Sequence, residues 1–473
     1  MKLRWYTSVF MLLFGMLSAD DVCITHTVLK PRAITSNNIF QHNLGLYWWY
    51  HTILCEHTNL SCMLQVSSFY QRSFQPQKLA SYLLPCKRSV LSVQQNGTGD
   101  VGSPWINLVA ADGELFSSYV RIQPVRSVVG AYIDFRLDLS EYFCHYWFDL
   151  AFAVFQAKHA LHMCQTLPEN EGTACGLATV QQALDQPRWL YGKFSPCTLT
   201  AQGIDTIQLK WGYDWFSCDT NHISPYFVMT IPTAGNNDPE YIFEPIVHVK
   251  HTSLGFGVIG DYKIIDGPSE LTLLTDLKYR YELPATELRS FDLCINGPWS
   301  RYLKIAQENN PTCSYAGINF FTLKTRVKPK STIDWWSALH YAYRCCDIEL
   351  GYDFWWRQPE QVDVCCLPDQ WGIYDIVGAQ LGDPVSASNA HIYQSTVGNP
   401  APSDTTFVQI TKADLNLASG AAPRAISNTL YVSAAYNGHI SRFPTYVGVG
   451  SSVELAHNAF SNWACWVRLA ASF

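Results

Sequence analysis

The sequence has 473 residues, of which 48% are hydrophobic and 14% aromatic, and its formal net charge is -7. Nucleic-acid-binding domains carry clustered Lys and Arg, and no such cluster is present, so we expect no nucleic-acid partner. The length fits two or three ordinary domains or one large barrel. The pattern of residues must therefore decide the architecture.

The N-terminus has the organisation of a secretory signal peptide. Lys2 and Arg4 precede an apolar run over residues 9–17, and Ala19 is followed by two acidic residues. We expect cleavage after Ala19, which leaves residues 20–473 as the mature chain. No other stretch approaches 18 uncharged apolar residues, so the sequence predicts no membrane-spanning helix. An exported chain that spans a membrane without helices must close into a β-barrel, because lipid cannot pair backbone polar groups.

Residues 129–154 carry the clearest structural pattern. From residue 129 to 139 apolar and other side chains alternate, which places Asp134, Arg136 and Asp138 on one face of a strand. The alternation resumes over residues 144–154 with Asp149 on the polar face, so the segment predicts an antiparallel hairpin. Soluble strands usually run about 5 to 6 residues, whereas roughly 9 to 11 cross a bilayer. These strands have the longer, membrane-spanning length.

The same period of two recurs along the chain. Further strands are predicted at residues 45–53, 63–74, 204–216, 223–233, 251–265, 270–283, 333–344, 346–356, 407–417, 429–436, 443–456 and 460–473. The predicted fold class is all-β, a transmembrane antiparallel β-barrel of about 14 strands, with a range of roughly 12 to 16. We expect a single barrel domain with long loops at about residues 75–125, 158–203, 284–331 and 358–406.

The polar positions of these strands predict the lining of a lumen. The lumen-lining candidates are Asp134, Arg136, Asp138, Asp149, Lys210, Asp214, Asp276, Lys278, Arg280, Glu282, Asp334, Glu349 and Asp353. Acids outnumber bases on the predicted inward faces, which favours a mild preference for cations in a water-filled pore. The alternative is a filled barrel whose interior charges pair with one another, since a barrel of this size accommodates either arrangement.

Motifs of catalysis and cofactor binding are absent or explained by the strands. Gly255, Gly257 and Gly260 match the dinucleotide-binding spacing, but the strand pattern continues after them where that motif requires a helix. His145 near Asp149 and His340 near Asp334 are the nearest candidates for a hydrolytic pair, and we interpret both as parts of a lumen hydrogen-bond network. We expect no catalytic residues, no enzyme activity, no cofactor and no metal.

All 16 cysteines follow the predicted signal peptide, and most fall in predicted loops. Export to an oxidising compartment favours disulfides, either within the chain or to neighbouring envelope proteins. Zinc is the alternative for the adjacent pairs at residues 345–346 and 365–366, but the spacing of two Cys separated by two residues does not occur. Cys144 and Cys465 share the parity of the lipid-facing residues, so we interpret them as small apolar side chains.

The last strand carries a family resemblance. Trp463, Cys465, Val467, Leu469, Ala471 and Phe473 alternate with Ala464, Trp466, Arg468, Ala470 and Ser472. This ending resembles the terminal strand of Gram-negative outer-membrane β-barrel proteins of the porin-like kind. The resemblance implies location in the bacterial outer membrane, contact with its lipid, and Phe473 as an assembly signal for the barrel-assembly machinery. The abundance of Cys resembles the disulfide-linked envelope proteins of chlamydia-like bacteria.

These observations lead to one predicted function and two alternatives. The prediction is a porin-like channel for small hydrophilic solutes. The first alternative is a structural, disulfide-linked envelope barrel with a closed lumen. The second is a secreted, soluble, disulfide-rich β protein that binds carbohydrate through its many Trp side chains.

Overall fold

The computed structural model describes residues 25–473, with gaps at 42–61, 86–87, 95–99, 107, 109–115, 140–142, 144, 167–176, 178, 219, 234–238, 248–249, 295, 377–404 and 441–442. The predicted signal peptide of residues 1–19 and the predicted strand of residues 45–53 therefore lie outside the described residues.

Twelve long strands form the main sheet, and each pairs antiparallel with the next along the chain. Their bounds are β1 Cys62–Ser73, β2 Val125–Asp138, β3 Tyr146–Ala160, β4 Leu199–Tyr213, β5 Asn221–Pro232, β6 Ser253–Ile265, β7 Ser269–Glu282, β8 Lys330–Tyr343, β9 Cys346–Arg357, β10 Ala425–Ile440, β11 Phe443–His457 and β12 Asn462–Ser472. The last strand also pairs with β1, with Met63 opposite Ser472, so the sheet closes into a barrel. A short strand, Phe216–Cys218, adds only to the end of β5.

The closed antiparallel barrel confirms the predicted fold class, with twelve strands where about 14 were expected in a range of roughly 12 to 16. Of the predicted strands, the one at residues 45–53 lies outside the described residues, and another has no counterpart in the barrel. The latter is residues 407–417, where the structure has a short strand, Thr405–Gln409, paired with Trp371–Ile376 outside the barrel. A five-residue strand alternates like a barrel strand but is too short to cross a bilayer.

The two faces of the barrel wall differ in the way the alternation predicts. Along β3, Trp147, Asp149 and Ala151 are buried, whereas Phe148 and Leu150 are half-buried on the opposite face. Exposed apolar side chains cover the outer surface, among them Leu254, Phe256, Leu273, Leu277, Leu339, Leu350, Leu430, Val432, Val449, Val453, Val467 and Leu469. An apolar band facing outward and a polar interior are typical of barrels that sit in lipid.

The glycine-rich strand β6 is a barrel strand, as its sequence pattern predicts, and no helix follows it. On its inner face a Cβ atom at Gly257 would lie 2.4 Å from the hydroxyl oxygen of Tyr226 on β5. The missing side chain lets the Tyr226 ring lie close against β6, and its hydroxyl donates a hydrogen bond to Asp276 at 2.7 Å. Glycine is therefore needed here for close packing rather than for phosphate binding.

The two ends of the barrel carry very different connections. At the end that holds the C-terminus, the strands are joined by short segments at residues 139–145, 214–220, 266–268, 344–345 and 441–442. At the opposite end four connections are long, over residues 74–124, 161–198, 283–329 and 358–424, one at 233–252 is shorter, and residues 458–461 form a short turn. We call these the short-turn end and the cap end.

The four longest connections contain regular structure and together form what we call the cap. Its helices are Pro76–Leu83, Val180–Leu184 and Gly317–Phe321, with 3-10 turns at Ser103–Ile106, Ser300–Tyr302 and Lys412–Asp414. Its strands are Val90–Gln94, Val101–Gly102, Ser117–Arg121, Cys164–Thr166, Ala285–Ser290, Asp292–Leu293, Lys304–Gln307, Asn310–Ala316, Thr322–Lys328, Gln361–Val364, Trp371–Ile376, Thr405–Gln409 and Leu415–Asn416. None of the helices in the described part of the chain is long and apolar enough to cross a bilayer.

The cap has a hydrophobic core of its own. Leu83, Phe194, Trp299 and Phe321 are fully buried in a cluster drawn from all the long connections. Trp299 packs against Phe194 with ring centroids 5.6 Å apart, and its indole nitrogen donates to the carbonyl oxygen of Leu83 at 3.2 Å. Because residues far apart in sequence meet in this core, the connections fold together as one body over the barrel mouth.

Candidate functional site: the occupied lumen

The N-terminal segment of residues 25–41, which we call the plug, lies inside the barrel. At the cap end the amide of Thr27 donates to the carbonyl oxygen of Ser419 at 2.9 Å. Farther down, Asn38–Gln41 forms a single helical turn, and the guanidinium of Arg468 on β12 donates to the carbonyl oxygen of Ile39 at 2.6 Å. The segment therefore enters from the cap and runs along the lumen towards the short-turn end.

Arg32 is the main electrostatic anchor of the plug. Its side chain is 6% exposed and makes ion pairs with Asp334 on β8, at 2.8 Å, and with Asp353 on β9. Arg280 on β7 donates to the second oxygen of Asp334 at 2.9 Å. A buried charge is tolerated only when it is paired and hydrogen-bonded, and here two carboxylates on neighbouring strands hold two guanidinium groups.

A second polar anchor lies around the helical turn of the plug. The ammonium group of Lys278 on β7 donates to Asn38 at 2.9 Å and to Gln41 at 3.4 Å. The side-chain amide of Gln41 also donates to Gln208 on β4 at 2.9 Å, and that of Asn38 donates to Asp353 at 3.1 Å. The plug is thus attached to several strands by side chains that are buried and polar.

An irregularity in β4 provides a third anchor. The pairing of β3 with β4 shifts register between Phe152 and Val154, and Asp205 and Thr206 both become buried. Asp205 accepts a hydrogen bond from the amide of Thr35 at 2.9 Å, while the Thr35 hydroxyl donates to the carbonyl oxygen of Thr206 at 3.2 Å. β-Bulges commonly redirect a side chain in this way, and here the carboxylate meets the plug backbone.

The contact between plug and wall also has an apolar part. Phe40 stacks on Phe69 of β1 with ring centroids 4.6 Å apart, and it meets the edge of Trp466 on β12 at 5.8 Å. Ile34 and Ile39 are buried in the same cluster. These residues fill the space between the polar anchors.

The predicted lumen residues lie on the inward side of the alternation. Eleven of the thirteen are buried, namely Asp134, Arg136, Asp149, Lys210, Asp214, Asp276, Lys278, Arg280, Asp334, Glu349 and Asp353, whereas Asp138 and Glu282 are half-buried. Four of them contact the plug, because Glu282 pairs with Lys30 at 3.0 Å in addition to the contacts of Lys278, Asp334 and Asp353. Their role as the lining of a pore stays a prediction.

Other predicted lumen residues are satisfied by the wall itself. Glu349 accepts a hydrogen bond from Tyr431, and Asp214 contacts His222 at 2.9 Å. The guanidinium of Arg136 lies over the Trp147 ring at 4.0 Å. His340 contacts Asp347 at 3.6 Å, while Asp334, its expected partner, is bound by the two arginines described above. His340 and Asp334 thus contact different partners, and the structure does not bring them together as a pair.

The sequence gives little sign of the plug residues. Arg32, Asn38 and Gln41 lie in a polar, irregular stretch without period, and their partners are hundreds of residues away in sequence. The only available signal is that this segment lies between the predicted signal peptide and the first strand.

Cysteine chemistry does not define a site in the described part of the chain. Ten cysteines whose side chains the structure describes are free, namely Cys62, Cys164, Cys197, Cys218, Cys294, Cys345, Cys346, Cys365, Cys366 and Cys465. Among the same residues, no group of three or more His, Cys, Asp or Glu side chains is placed to hold a metal ion. The predicted disulfides stay a prediction.

A closed antiparallel barrel with an apolar outer band and a charged interior defines the class of transmembrane β-barrel proteins. No protein-family profile matches the chain, and no curated protein matches it in sequence.

Several solved structures are similar. An outer-membrane channel from Pseudomonas putida F1 is 9% identical, with a TM-score of 0.37, over 88% of this chain and 96% of that one. The translocator domain of the autotransporter NalP from Neisseria meningitidis is 6% identical, with a TM-score of 0.30, over 91% and 94%. The toluene transporter TodX from Pseudomonas putida is 8% identical, with a TM-score of 0.28, over 96% and 98%. At these values the likeness carries no argument about the function of this chain.

Proposed function

We propose that this protein is a channel of the bacterial outer membrane for small hydrophilic solutes, closed by its N-terminal plug and opened when the plug leaves the lumen. The observation that carries the proposal is the polar contact between plug and wall. Arg32, Asn38 and Gln41 are held by charged or amide side chains of four strands. Water can replace such partners, whereas it cannot replace buried apolar packing.

The energy of these contacts supports a closed state that can open. A typical hydrogen bond contributes about 0.5 to 1.5 kcal/mol net, and one to a charged group about 1.5 to 3 kcal/mol, because water competes for both partners. Several such contacts together stabilise the position of the plug in the lumen. After departure of the plug, Asp334, Asp353 and Lys278 would line a hydrated lumen, and the excess of acids there favours cations.

The ends of the barrel support an orientation in the membrane. Outer-membrane barrels have short periplasmic turns and longer extracellular loops, so we assign the short-turn end to the periplasm and the cap to the outside. Exposed aromatic side chains cluster near the short-turn end, among them Tyr146, Tyr213, Tyr262, Tyr341, Tyr343, Tyr436 and Phe473. Such rings are typical of the interface between membrane and water.

The terminal residue fits the predicted assembly signal by position. The amide of Phe473 donates to the carbonyl oxygen of Cys62 at 3.0 Å, and the amide of Cys62 donates back at 2.9 Å. Phe473 is therefore part of the seam where the last strand meets the first. Recognition of this residue by the barrel-assembly machinery stays a prediction.

The test is single-channel recording in planar bilayers with purified protein. We expect the wild type to be closed most of the time, and Arg32→Gln to raise the ratio of open to closed time by about 10- to 100-fold, since it removes charged hydrogen bonds. The matched control is Lys412→Gln, which breaks an exposed ion pair with Asp363 in the cap. A salt gradient should give a reversal potential of the cation-selective sign.

Two results would contradict the proposal. One is an Arg32→Gln channel that stays as closed as the wild type, which would favour the structural envelope barrel with a closed lumen. The other is an equal rise in the ratio of open to closed time in Arg32→Gln and Lys412→Gln, which would show that opening does not depend on the plug. The second alternative, a soluble carbohydrate-binding protein, conflicts with the apolar outer band of the barrel.

A further inference from the structure

A cavity of about 340 Å³ lies at the cap end of the lumen. The plug lines one side of the cavity with residues 27–34, the barrel wall lines another, and the connection of residues 239–247 lines a third. Cavities of this size accommodate small organic ligands. The contacts that attach the plug, as described above, do not account for the presence of this cavity.

Two basic side chains of the wall meet at this cavity. Arg126 on β2 and His159 on β3 are directly opposite each other in the strand register, and each is 3% exposed. Directly opposite residues have Cβ atoms about 4.5 to 5.5 Å apart. Both side chains line the cavity, so a single small ligand can contact both.

Arg126 has incomplete partners. One terminal nitrogen donates to the side-chain oxygen of Gln71 at 3.2 Å, and the guanidinium lies over the Phe460 ring at 5.1 Å. Its Nε atom has no hydrogen-bond partner among the described residues, and no carboxylate of these residues lies within ion-pair distance. Asp205 and Glu454 stabilise its charge only from farther away. A buried guanidinium in this state is suited to accept an anionic ligand.

His159 offers a complementary group. Its Nδ1 atom donates to the carbonyl oxygen of Phe243 at 3.3 Å, and the ring stacks on Phe243 with centroids 4.4 Å apart. In this neutral tautomer Nε2 is an acceptor, and it has no partner among the described residues. The imidazole is thus fixed in orientation, with a bare acceptor beside the guanidinium.

The rest of the cavity is lined by apolar side chains and by charged ones, among them Lys30, Asp205, Glu244 and Glu287. Ile34 of the plug, Phe155 of β3, and Phe243 and Val247 of the connection contribute to its lining. A ligand that satisfies Arg126 and His159 can therefore place an apolar group against these side chains, where its burial is favourable.

We propose that this cavity binds a small carboxylate that carries a hydroxyl on the neighbouring carbon and an apolar body, the chemistry of an aromatic 2-hydroxy acid. The carboxylate accepts from Arg126, and the hydroxyl donates to Nε2 of His159. The ring packs against the apolar lining. This site goes beyond the proposed channel, because binding to the closed barrel does not require the plug to move.

The test is isothermal titration of the full-length barrel in detergent micelles with three matched probes. Mandelate has all three groups, phenylacetate lacks the hydroxyl, and mandelamide lacks the charge. We expect mandelate to bind best, phenylacetate about 3- to 10-fold more weakly, and mandelamide at least about tenfold more weakly, in line with neutral and charged hydrogen bonds. Empty micelles measure partition of the probes into detergent.

Variants assign the effect to the two side chains. Arg126→Gln should remove the preference for mandelate over mandelamide, and His159→Phe, which keeps the stacking on Phe243, should remove the preference for mandelate over phenylacetate. Arg72→Gln is the control, since Arg72 is exposed on the outer face of β1 one strand away. Heat-modifiable gel mobility verifies that each variant is folded, and His159→Phe keeps the test informative if Arg126→Gln does not fold.

Three outcomes would overturn the site. They are equal binding of mandelamide and mandelate, displacement of mandelate by inorganic phosphate at similar concentration, and no saturable binding to folded wild-type protein. The titration is made on the closed barrel, so an absence of mandelate binding would not change the interpretation of the Arg32→Gln conductance. A negative conductance result would likewise not change the interpretation of the binding test.

Discussion

The molecule has two interiors of opposite character. The cap core is built mainly from apolar side chains such as Leu83, Phe194, Trp299 and Phe321, with the buried ion pair of Arg301 and Asp292 beside them. The lumen combines an apolar cluster with many buried acids and bases, and the plug is held there by ion pairs such as that of Arg32 with Asp334. Apolar packing thus covers the mouth of the barrel, whereas polar contacts lie along the barrel axis.

The difference shows which part of the molecule is suited to move. Exposing the cap core to water costs free energy in proportion to the apolar area, so the cap should behave as a fixed body. Separating the plug from the wall exposes charges and amides that water solvates well. The same difference predicts how substitutions in each region should act.

The largest effect is expected in the cap core. Phe321→Ala removes a fully buried ring, and truncations of this kind cost about 3 to 5 kcal/mol. We expect the cap to loosen while the barrel remains folded. Limited trypsin digestion should then cut the connection of residues 283–329, while heat-modifiable mobility of the barrel is retained.

Tyr119→Ala is the matched control, because this aromatic side chain of the cap is 48% exposed. Equal protease sensitivity of the two variants would show that the cap has no cooperative core. Loss of the barrel together with the cap in Phe321→Ala would show that the two regions fold as one unit.

The next prediction compares the same substitution at two equally exposed leucines, one on the lipid-facing surface of the barrel and one on the water-facing surface of the cap. Leu350 on the outer face of β9 is 59% exposed, and Leu190 in the cap is 60% exposed. Arg on the lipid face of a barrel costs about 2 to 4 kcal/mol near the bilayer midplane, whereas an exposed site in water tolerates it. Leu350→Arg should lower the yield of heat-modifiable barrel in the membrane, and Leu190→Arg should leave it unchanged. Similar yields for both variants would contradict the outer face as the lipid contact.

The smallest effect concerns the charges where cap and plug meet. Burial alone would raise the pKa of the Glu287 carboxyl, but Arg289, at 2.7 Å, and His251, at 3.0 Å, hold this pKa well below its usual range. The contribution of Glu287 to stability is therefore present above its unfolded pKa of about 4.3 and is lost as the pH falls towards the folded value. We expect the cap to become more sensitive to pepsin below about pH 4.

Glu287→Gln should weaken this acid dependence, and Glu240→Gln, at a more exposed ion pair with Lys193, should not. Some dependence should remain in Glu287→Gln, because Arg289 also contacts Glu360 at 3.2 Å and contributes to lowering its pKa. An unchanged acid profile in Glu287→Gln would place the sensitivity elsewhere.

The sequence by itself determined the architecture of the wall. In a barrel each strand has one side in lipid and one in the lumen, so the period of two must appear in every strand. That is why the hairpin of residues 129–154 and the last strand could be assigned with the correct faces, and the glycine-rich strand β6 could be recognised as a barrel strand. The strand number was less certain because a short alternating strand such as Thr405–Gln409 has the same local pattern as a barrel strand.

Only the tertiary structure decided what fills the barrel and what covers it. Arg32 meets Asp334 and Asp353 across some three hundred residues of sequence, and an irregular polar segment has no period that could indicate its partners. The cap has the same origin, because its sheets join connections that are distant in the chain. Contacts of this kind form only when the barrel closes, because closure brings the ends of all the strands together. The local residue pattern of a segment does not indicate them.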